Sequence, residues 1–453
     1  MEQFGAVVIG GGPAGYLAAI RLSQLGVRTA LVEKDELGGE CTNYGCIPSK
    51  YLITLSRKAW AVRELTDRGV FKAAVSVDMG RLTEGMRAVV RRLRQGIGYL
   101  LKEYGVTHFK GFAEIIDPNT VRVTGGDNKT DLNAKTILIA TGTEPSALPT
   151  IPVDQNRVVD YRKMLYLESV PKTLLVVGGG AVGLELGTAY AMLGSETTIV
   201  EVMDQLLPGM DSDAARAVKK GVEKIGVKTY LKTTVQSYSY VDGGVEVELS
   251  NGEKGVYEYV LVSVGKRPSS WVRELKKLGV ALDEKGFIKT DNKMKTSVDN
   301  IYAAGDVTGP PFLAHKSFRQ GIVAAETIAG KETTYSSIIP YGVFTSPEVA
   351  SVGTVTSEGM CVAKFPYLAL GRALADGEDG FVKIFAEPSG RLSGAVVVGP
   401  HATEVVQIIT PLVEQGAGVE DVARTVFIHP TYAESLGEAA HIMLKKALHY
   451  VVK

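Results

Sequence analysis

Two stretches of the chain repeat one pattern, and that repetition constrains the fold more than any other feature. Ala6-Val7-Val8-Ile9 is a short apolar run of the kind found in buried parallel strands. Gly10-Gly11-Gly12-Pro13-Ala14-Gly15 follows, then a helical stretch from Tyr16 to about Leu25, then the strand Thr29-Ala30-Leu31-Val32 ending at Glu33. The pattern returns as Leu174-Leu175-Val176-Val177, Gly178-Gly179-Gly180-Ala181-Val182-Gly183, a helix from Leu184 to Leu193, and Thr197-Thr198-Ile199-Val200 ending at Glu201. From last glycine to acid the two units run 15 to 33 and 183 to 201, the same interval of 18. In such a unit the glycines let the backbone approach a pyrophosphate at a helix N-terminus, and the acid accepts hydrogen bonds from a ribose. Two units imply two dinucleotides, or two halves of one large site. The expectation is an α/β redox enzyme with two cofactors.

Composition excludes several alternatives. Lys plus Arg and Asp plus Glu are both 50, so a zero net charge gives no support to nucleic acid or an anionic membrane as a partner. Three cysteines in 453 residues do not make a disulfide scaffold. Met1-Glu2-Gln3-Phe4 lacks the basic start of a signal peptide, and the apolar run Leu174 to Leu193 is broken by Glu185 and five glycines, so a cytoplasmic protein is expected. No set of residues has metal-ligand spacing.

Between the repeats, Leu82, Met86, Val89, Val90, Leu93, Ile97, Leu100, Leu101 and Tyr104 fall at helical spacing, with Arg87, Arg91, Arg92 and Arg94 read as a solvated face. Ile137 to Gly142, including Thr141, is a strand ending in a turn; Pro145, Pro149 and Pro152 then mark a crossover, and Gly265-Lys266-Arg267-Pro268 marks a second. Ile301 to Asp306 is another strand with an acid at its carboxyl end, where open α/β sheets bind ligands. From about Pro340 strands and helices segregate in the manner of an α+β domain.

Cys41 and Cys46 lie five apart in Glu40-Cys41-Thr42-Asn43-Tyr44-Gly45-Cys46-Ile47-Pro48-Ser49-Lys50. On one unbroken helix they would point to different faces, so either the helix is distorted or it begins inside the pair, and Gly45 can absorb the bend. The pair could form a disulfide; a purely stabilising one would restrain little in so small a loop. Lys50 follows Cys46 by four and shares its face on a continuing helix. Cys361 has no partner in sequence and is read as an ordinary buried thiol.

These residues together, in order and over essentially the whole chain, resemble the pyridine nucleotide-disulfide oxidoreductases of the two-cysteine flavoprotein type. The resemblance implies two Rossmann-like domains and a C-terminal α+β dimerisation domain. The expected boundaries are 1–147 and 268–338 for the FAD domain, 148–267 for the NAD domain and 339–453 for dimerisation. It assigns Gly10, Gly12, Pro13, Ala14, Gly15, Glu33, Lys34, Thr141, Gly142, Gly305, Asp306 and Ala314 to FAD, with Asp306 on the ribityl chain. It assigns Gly178, Gly180, Gly183, Glu201 and Gly265 to NAD. Cys41 becomes the interchange thiol of a redox disulfide, Cys46 the thiolate against the flavin, and Lys50 with Glu185 an ion pair near it. His429 becomes the base, with Glu434 orienting its ring, and it faces the disulfide of the partner chain in a homodimer. His315 is read as structural, near the flavin.

Within the family, Gly15-Tyr16, Ala18-Ala19-Ile20 and Leu313-Ala314-His315-Lys316 are similar to the branch that oxidises a dihydrolipoyl dithiol with NAD. That branch implies a lipoyl-bearing protein of a 2-oxoacid dehydrogenase or glycine cleavage complex as partner. The chain departs from it at Glu40, where threonine is usual and a pyrophosphate should pass; the carboxylate there must point away or be neutralised. Arg319-Gln320, a short Thr354–Lys364 segment and Ile428 are further departures. A reductase of another disulfide or of a metal ion, such as mercuric reductase, is the alternative enzyme, but Tyr450-Val451-Val452-Lys453 holds none of that branch's terminal cysteines. A transhydrogenase would not need both Cys41 and Cys46. A non-catalytic flavin-binding sensor would need neither the cysteines nor the His429/Glu434 pair.

Overall fold

The structure is a computed structural model that describes residues 2–335 and 338–451; Met1, Val452 and Lys453 of the terminal segments read above lie outside the described residues. The first repeat forms the strand β1 (Glu2–Ile9), the helix α1 (Pro13–Gln24) and the strand β2 (Thr29–Glu33). β1 pairs in parallel with β2 on one side (Val7 opposite Ala30) and with Asn128–Ile139 on the other (Val7 opposite Ile137). Ala6, Val7 and Val8 are wholly buried because both faces are covered, Ala6 and Val8 by helices such as α1 and Val7 by the antiparallel strands that carry Ala113, Ile115, Val121 and Val123, which is why this run is apolar rather than alternating. Ile301–Ala303 returns to this sheet and pairs in parallel with the end of Asn128–Ile139. The second repeat builds a separate parallel sheet in the order Lys228–Leu231, Glu196–Glu201, Thr173–Val177, Tyr259–Val262, Val158–Val159.

Two short strands, Thr143–Pro145 and Lys266–Pro268, pair antiparallel at the two crossovers between these units. The remaining five-stranded antiparallel sheet runs from Tyr341–Val343 to Phe381–Ala386 and Cys361–Pro366, with Ala402–Gln415 and Glu434–Met443 packed on it. This last unit is bolted to the second repeat by charge. Lys383 is buried and pairs with Asp211 and Asp213, each at 2.7 Å, and these hold the Asp213 carboxyl down at about 2.

The cysteine stretch folds as two helices, α2 (Gly39–Tyr44) and α3 (Cys46–Asp67). The break falls on Gly45, at φ −137° and ψ −103°, so the helix restarts inside the cysteine pair. The basic helix is α4 (Met79–Glu103), capped by Asp78, whose carboxylate accepts from the Arg81 amide at 3.0 Å.

Two expectations need correction here. On α4, Leu82, Met86, Val90, Ile97 and Leu101 are buried, but Val89, Leu93, Leu100 and Tyr104 are exposed, since the apolar stripe is wider than the face that this chain covers. Arg94 does not belong to the solvated face: it turns inward, donates to Asn43 Oδ1 at 2.8 Å and pairs with Glu36 at 3.2 Å, bracing α2. Cys361 is exposed, not buried: it shares the face of the buried Ala363 and Phe365, but it stands at the first position of an edge strand, where their cover does not reach.

Candidate active site

A single continuous cavity of about 720 Å³ runs from the first glycine turn past the cysteines to the helix of the second repeat. The backbone at its entrance is forced by the glycines. A Cβ on Gly10 would meet the Ala140 carbonyl at 2.4 Å, and one on Gly15 would meet the Gly10 carbonyl at 1.8 Å, so both residues serve the tight strand–helix joint. At Gly12 the nearest atom to a Cβ would be 3.8 Å away, so this position opens onto the cavity. Pro13 opens α1, where its missing N–H costs nothing.

Each repeat locks its acid in the same way. Glu33 accepts from the Gly11 amide at 2.6 Å and the Asp35 amide at 2.7 Å; Glu201 accepts from the Gly179 amide at 2.7 Å and the Met203 amide at 2.9 Å. A carboxylate so held is fixed in place and keeps lone pairs free to accept from hydroxyls.

Of the residues assigned to FAD, all but Gly15 line the cavity. Thr141 and Thr143 also line it, and their hydroxyls are buried with no hydrogen-bond partner in the protein. Unpaired buried hydroxyls on an open wall, a backbone bare of side chains at Gly12 and a helix N-terminus suit a dinucleotide with a polar chain. Gly178, Gly180, Gly183, Glu201 and Gly265 lie off this cavity, around the second glycine turn and the crossover. Gly180 has open space where a Cβ would stand, the counterpart of Gly12.

Cys41 and Cys46 face the cavity as free thiols. They are hydrogen-bonded to each other, and the two sulfurs are driven apart in acidity. The hydrogen bond to Cys46, reinforced by burial, pushes the Cys41 thiol up. The bond from Cys41 pulls Cys46 down, against burial, and Lys50 and Lys266 add to that pull. Cys46 also begins the 22-residue α3, whose N-terminal dipole favours a thiolate.

Lys50 and Glu185 meet. Lys50 Nζ lies 2.9 Å from Glu185 Oε2 and 4.3 Å from the centre of the Phe344 ring. The other oxygen, Glu185 Oε1, accepts from the Phe344 amide at 2.9 Å. His429 Nδ1 lies 2.7 Å from Glu434 Oε1, and Glu434 Oε2 accepts from the Thr431 amide at 2.7 Å, so the carboxylate fixes both ring and loop. Neither His429 nor Glu434 lines the cavity of its own chain; the His429 side chain is 78% exposed beside the exposed Val426 and Ile428. His315 lines the cavity with Nε2 bonded to the Pro340 carbonyl at 2.7 Å.

The group that the sequence did not locate surrounds Glu40. Its carboxylate pairs with Lys266 through one oxygen and with Arg162 through the other, at 3.0 Å. Burial pushes Glu40 up, but these cations hold it below its ordinary range. The carboxylate is therefore neutralised in place. The need for a counter-ion was legible at Glu40; its partners, 122 and 226 residues away, were not. Among the described residues no helix is long and apolar enough to cross a membrane, and no cluster of His, Cys, Asp or Glu could hold a metal ion.

Comparison with known proteins places this geometry. The description "Pyridine nucleotide-disulphide oxidoreductase" matches residues 4–321, and that family's dimerisation domain matches 339–440. The chain is 40% identical to dihydrolipoyl dehydrogenase 2 of Haloarcula marismortui, over 98% of this chain and 97% of the relative. It is also 40% identical to the dihydrolipoyl dehydrogenase of Geobacillus stearothermophilus, over 99% and 97%. Among solved structures, LpdA from Mycobacterium tuberculosis superposes with a TM-score of 0.90 at 28% identity, covering 98% of this chain and 100% of that one. The Cu(II) complex of the HOCl-induced flavoprotein disulfide reductase RclA from Escherichia coli gives 0.88 at 26%, with the same coverage. The chain belongs to the pyridine nucleotide-disulphide oxidoreductases.

Proposed function

We propose that this chain is an FAD-dependent dihydrolipoyl dehydrogenase that passes electrons from a dihydrolipoyl dithiol to NAD+. The observation that carries the reading is the Cys41/Cys46 pair on the FAD cavity, with Lys50 and Glu185 beside it and full-length relatives of that name. In the oxidised enzyme the two sulfurs form a disulfide. A substrate thiolate attacks Cys41, the Cys41–Cys46 bond breaks and Cys46 leaves as a thiolate. The second substrate thiol then displaces Cys41, which leaves the substrate as a cyclic disulfide and the enzyme with two more electrons. FAD, when bound, supplies the two-electron relay to the nicotinamide. Gly10, Gly12, Pro13, Ala14, Glu33, Lys34, Thr141, Gly142, Gly305, Asp306 and Ala314 would hold it.

Attack needs a base, because a thiol of ordinary pKa is mostly protonated at neutral pH. His429, aimed by Glu434, takes that proton. Since its ring projects out of its own chain, beside Val426 and Ile428, it serves the cavity of a second copy across a two-fold interface. A lipoyl-bearing protein of a 2-oxoacid dehydrogenase or glycine cleavage complex is the natural donor. The segments 1–147 with 268–338, 148–267 and 339–453 act as FAD, NAD and dimerisation domains.

Four outcomes are expected. In an assay of NAD reduction, dihydrolipoamide should be oxidised far faster than glutathione, and in the reverse assay of NADH oxidation Hg²⁺ should not be reduced; preference for glutathione or turnover of Hg²⁺ contradicts the reading. Cys46→Ser should abolish the long-wavelength thiolate–flavin absorption of the two-electron-reduced enzyme. Cys41→Ser should keep a thiolate there yet stop dithiol turnover, and full activity in it would reverse the roles. Because Glu201 would repel a 2′-phosphate and Val202-Met203-Asp204-Gln205 offer no cation, kcat/KM should favour NAD over NADP, and Glu201→Ala should relax the preference; equal or reversed values defeat this. Finally, Cys41→Ser and His429→Ala chains, unfolded and refolded together, should recover activity toward about a quarter of wild type, as about half of random dimers are mixed and each has one intact site. Proven mixed dimers as inactive as their parents would place the base within its own chain.

A further inference from the structure

Glu40 draws together four parts of the fold. It sits on α2, next to Cys41. Its partner Arg162 belongs to the short helix Tyr161–Met164, and its partner Lys266 begins the strand Lys266–Pro268 at the crossover between the two nucleotide units. Lys266 Nζ is also 3.8 Å from Asp306 Oδ2, after the strand Ile301–Ala303. All four side chains line the cavity that holds the cysteines.

A buried lysine without anions would lose its charge. Here burial works against the Lys266 ammonium, but Glu40 and Asp306 more than offset it and keep it protonated. Its charge acts on Cys46: the cation lowers the thiol, and the thiolate in turn raises the lysine. The charged groups facing Cys46 are then Cys41 on α2, Lys50 on its own helix, Glu185 on Ala181–Leu193, and Lys266. Those facing Lys266 are Glu40, Asp306 and Cys46, with the Tyr161 ring centred 5.8 Å from Nζ. Arg162 stands on the far oxygen of Glu40, and Lys316 acts on Asp306. Lys50 is paired to Glu185 at 2.9 Å, so its charge is partly cancelled where Cys46 feels it.

We propose that Glu40 is a positioning residue for the redox reaction: it holds the Lys266 ammonium beside the Cys41–Cys46 pair as a second cation for the Cys46 thiolate. Arg162 keeps the carboxylate in place from the other side. The residue that occupies the position of a usual threonine thus brings charge to the sulfur without leaving a bare anion beside a diphosphate. This rests on the reading of Cys46 as the thiolate that faces FAD.

The test is the pH titration of the long-wavelength thiolate–flavin band in two-electron-reduced holoenzyme, wild type against Lys266→Met, Lys266→Arg, Glu40→Gln and Glu40→Gln/Lys266→Gln. Removing a cation disfavours the thiolate, so the midpoint should rise in Lys266→Met by roughly 0.5–1 unit, the weak end of what a nearby opposite charge does. Lys266→Arg should restore it. The double variant leaves no bare carboxylate at position 40, and Lys316 still acts on Asp306, so it retains a loaded site if Lys266→Met does not, and it should show the same rise. Glu40→Gln should also raise the midpoint, because the ammonium is then drawn toward Asp306; a fall would mean that Glu40 acts only as a nearby anion and would overturn its positioning role. Midpoints unmoved in Lys266→Met and the double variant would make the cluster purely structural and overturn the proposal. No band in wild-type protein at any pH would instead overturn the reading of Cys46 itself.

Discussion

The ion pair between Lys50 and Glu185 is the contact on which the rest of the site depends. Lys50 stands one turn beyond Cys46 on α3, and Glu185 stands on the helix that follows the second glycine turn. At 2.9 Å the pair ties the redox helix of one nucleotide unit to the first helix of the other. The second oxygen of Glu185 accepts from the Phe344 amide, which adds the C-terminal unit to the same joint. Side chains from three parts of the chain are thus brought to one point, and the point is next to the sulfur that must carry charge. An uncompensated cation or anion at such a depth would be costly, so the pair fixes the relative position of the units as well as the local field.

Charge around the cysteines is arranged in balanced sets. Lys50 answers Glu185, Lys266 and Arg162 answer Glu40, and Lys266 reaches Asp306. The interaction between Cys41 and Cys46 then raises the first thiol and lowers the second. Desolvation opposes the thiolate, while the N-terminus of α3 and the two lysines favour it. The division suits the proposed chemistry, in which Cys41 exchanges with substrate and Cys46 holds negative charge against the cofactor.

Much of this was legible in the sequence because it depends on local pattern. Glycine spacing sets the turns at 10–15 and 178–183, and the acid at the end of each following strand is held by amides of its own turn, so Glu33 and Glu201 could be found without a fold. Gly45 between two cysteines implied a break in the helix, and the break is there. What was not legible depends on contacts distant in sequence. Nothing near Glu40 announces Arg162 or Lys266, and nothing in the periodicity of α4 distinguishes Arg94, which turns to Asn43, from Arg91, which does not. Helical spacing reports an apolar stripe, not what covers it, so it did not tell the exposed Val89 and Leu93 from the buried Leu82 and Met86. Cys361 was misread for a related reason: it shares a face with the buried Ala363 and Phe365, but at the first position of an edge strand their cover does not reach it.

The central claim is that the Lys50–Glu185 pair governs the redox step rather than nucleotide binding, and rapid-mixing kinetics of Glu185→Gln holoenzyme test it most directly. The account predicts an altered flavin spectrum and a changed rate of flavin reduction by dithiol, with a smaller change in the Michaelis constant for NAD. A spectrum and a reduction rate equal to wild type would contradict it.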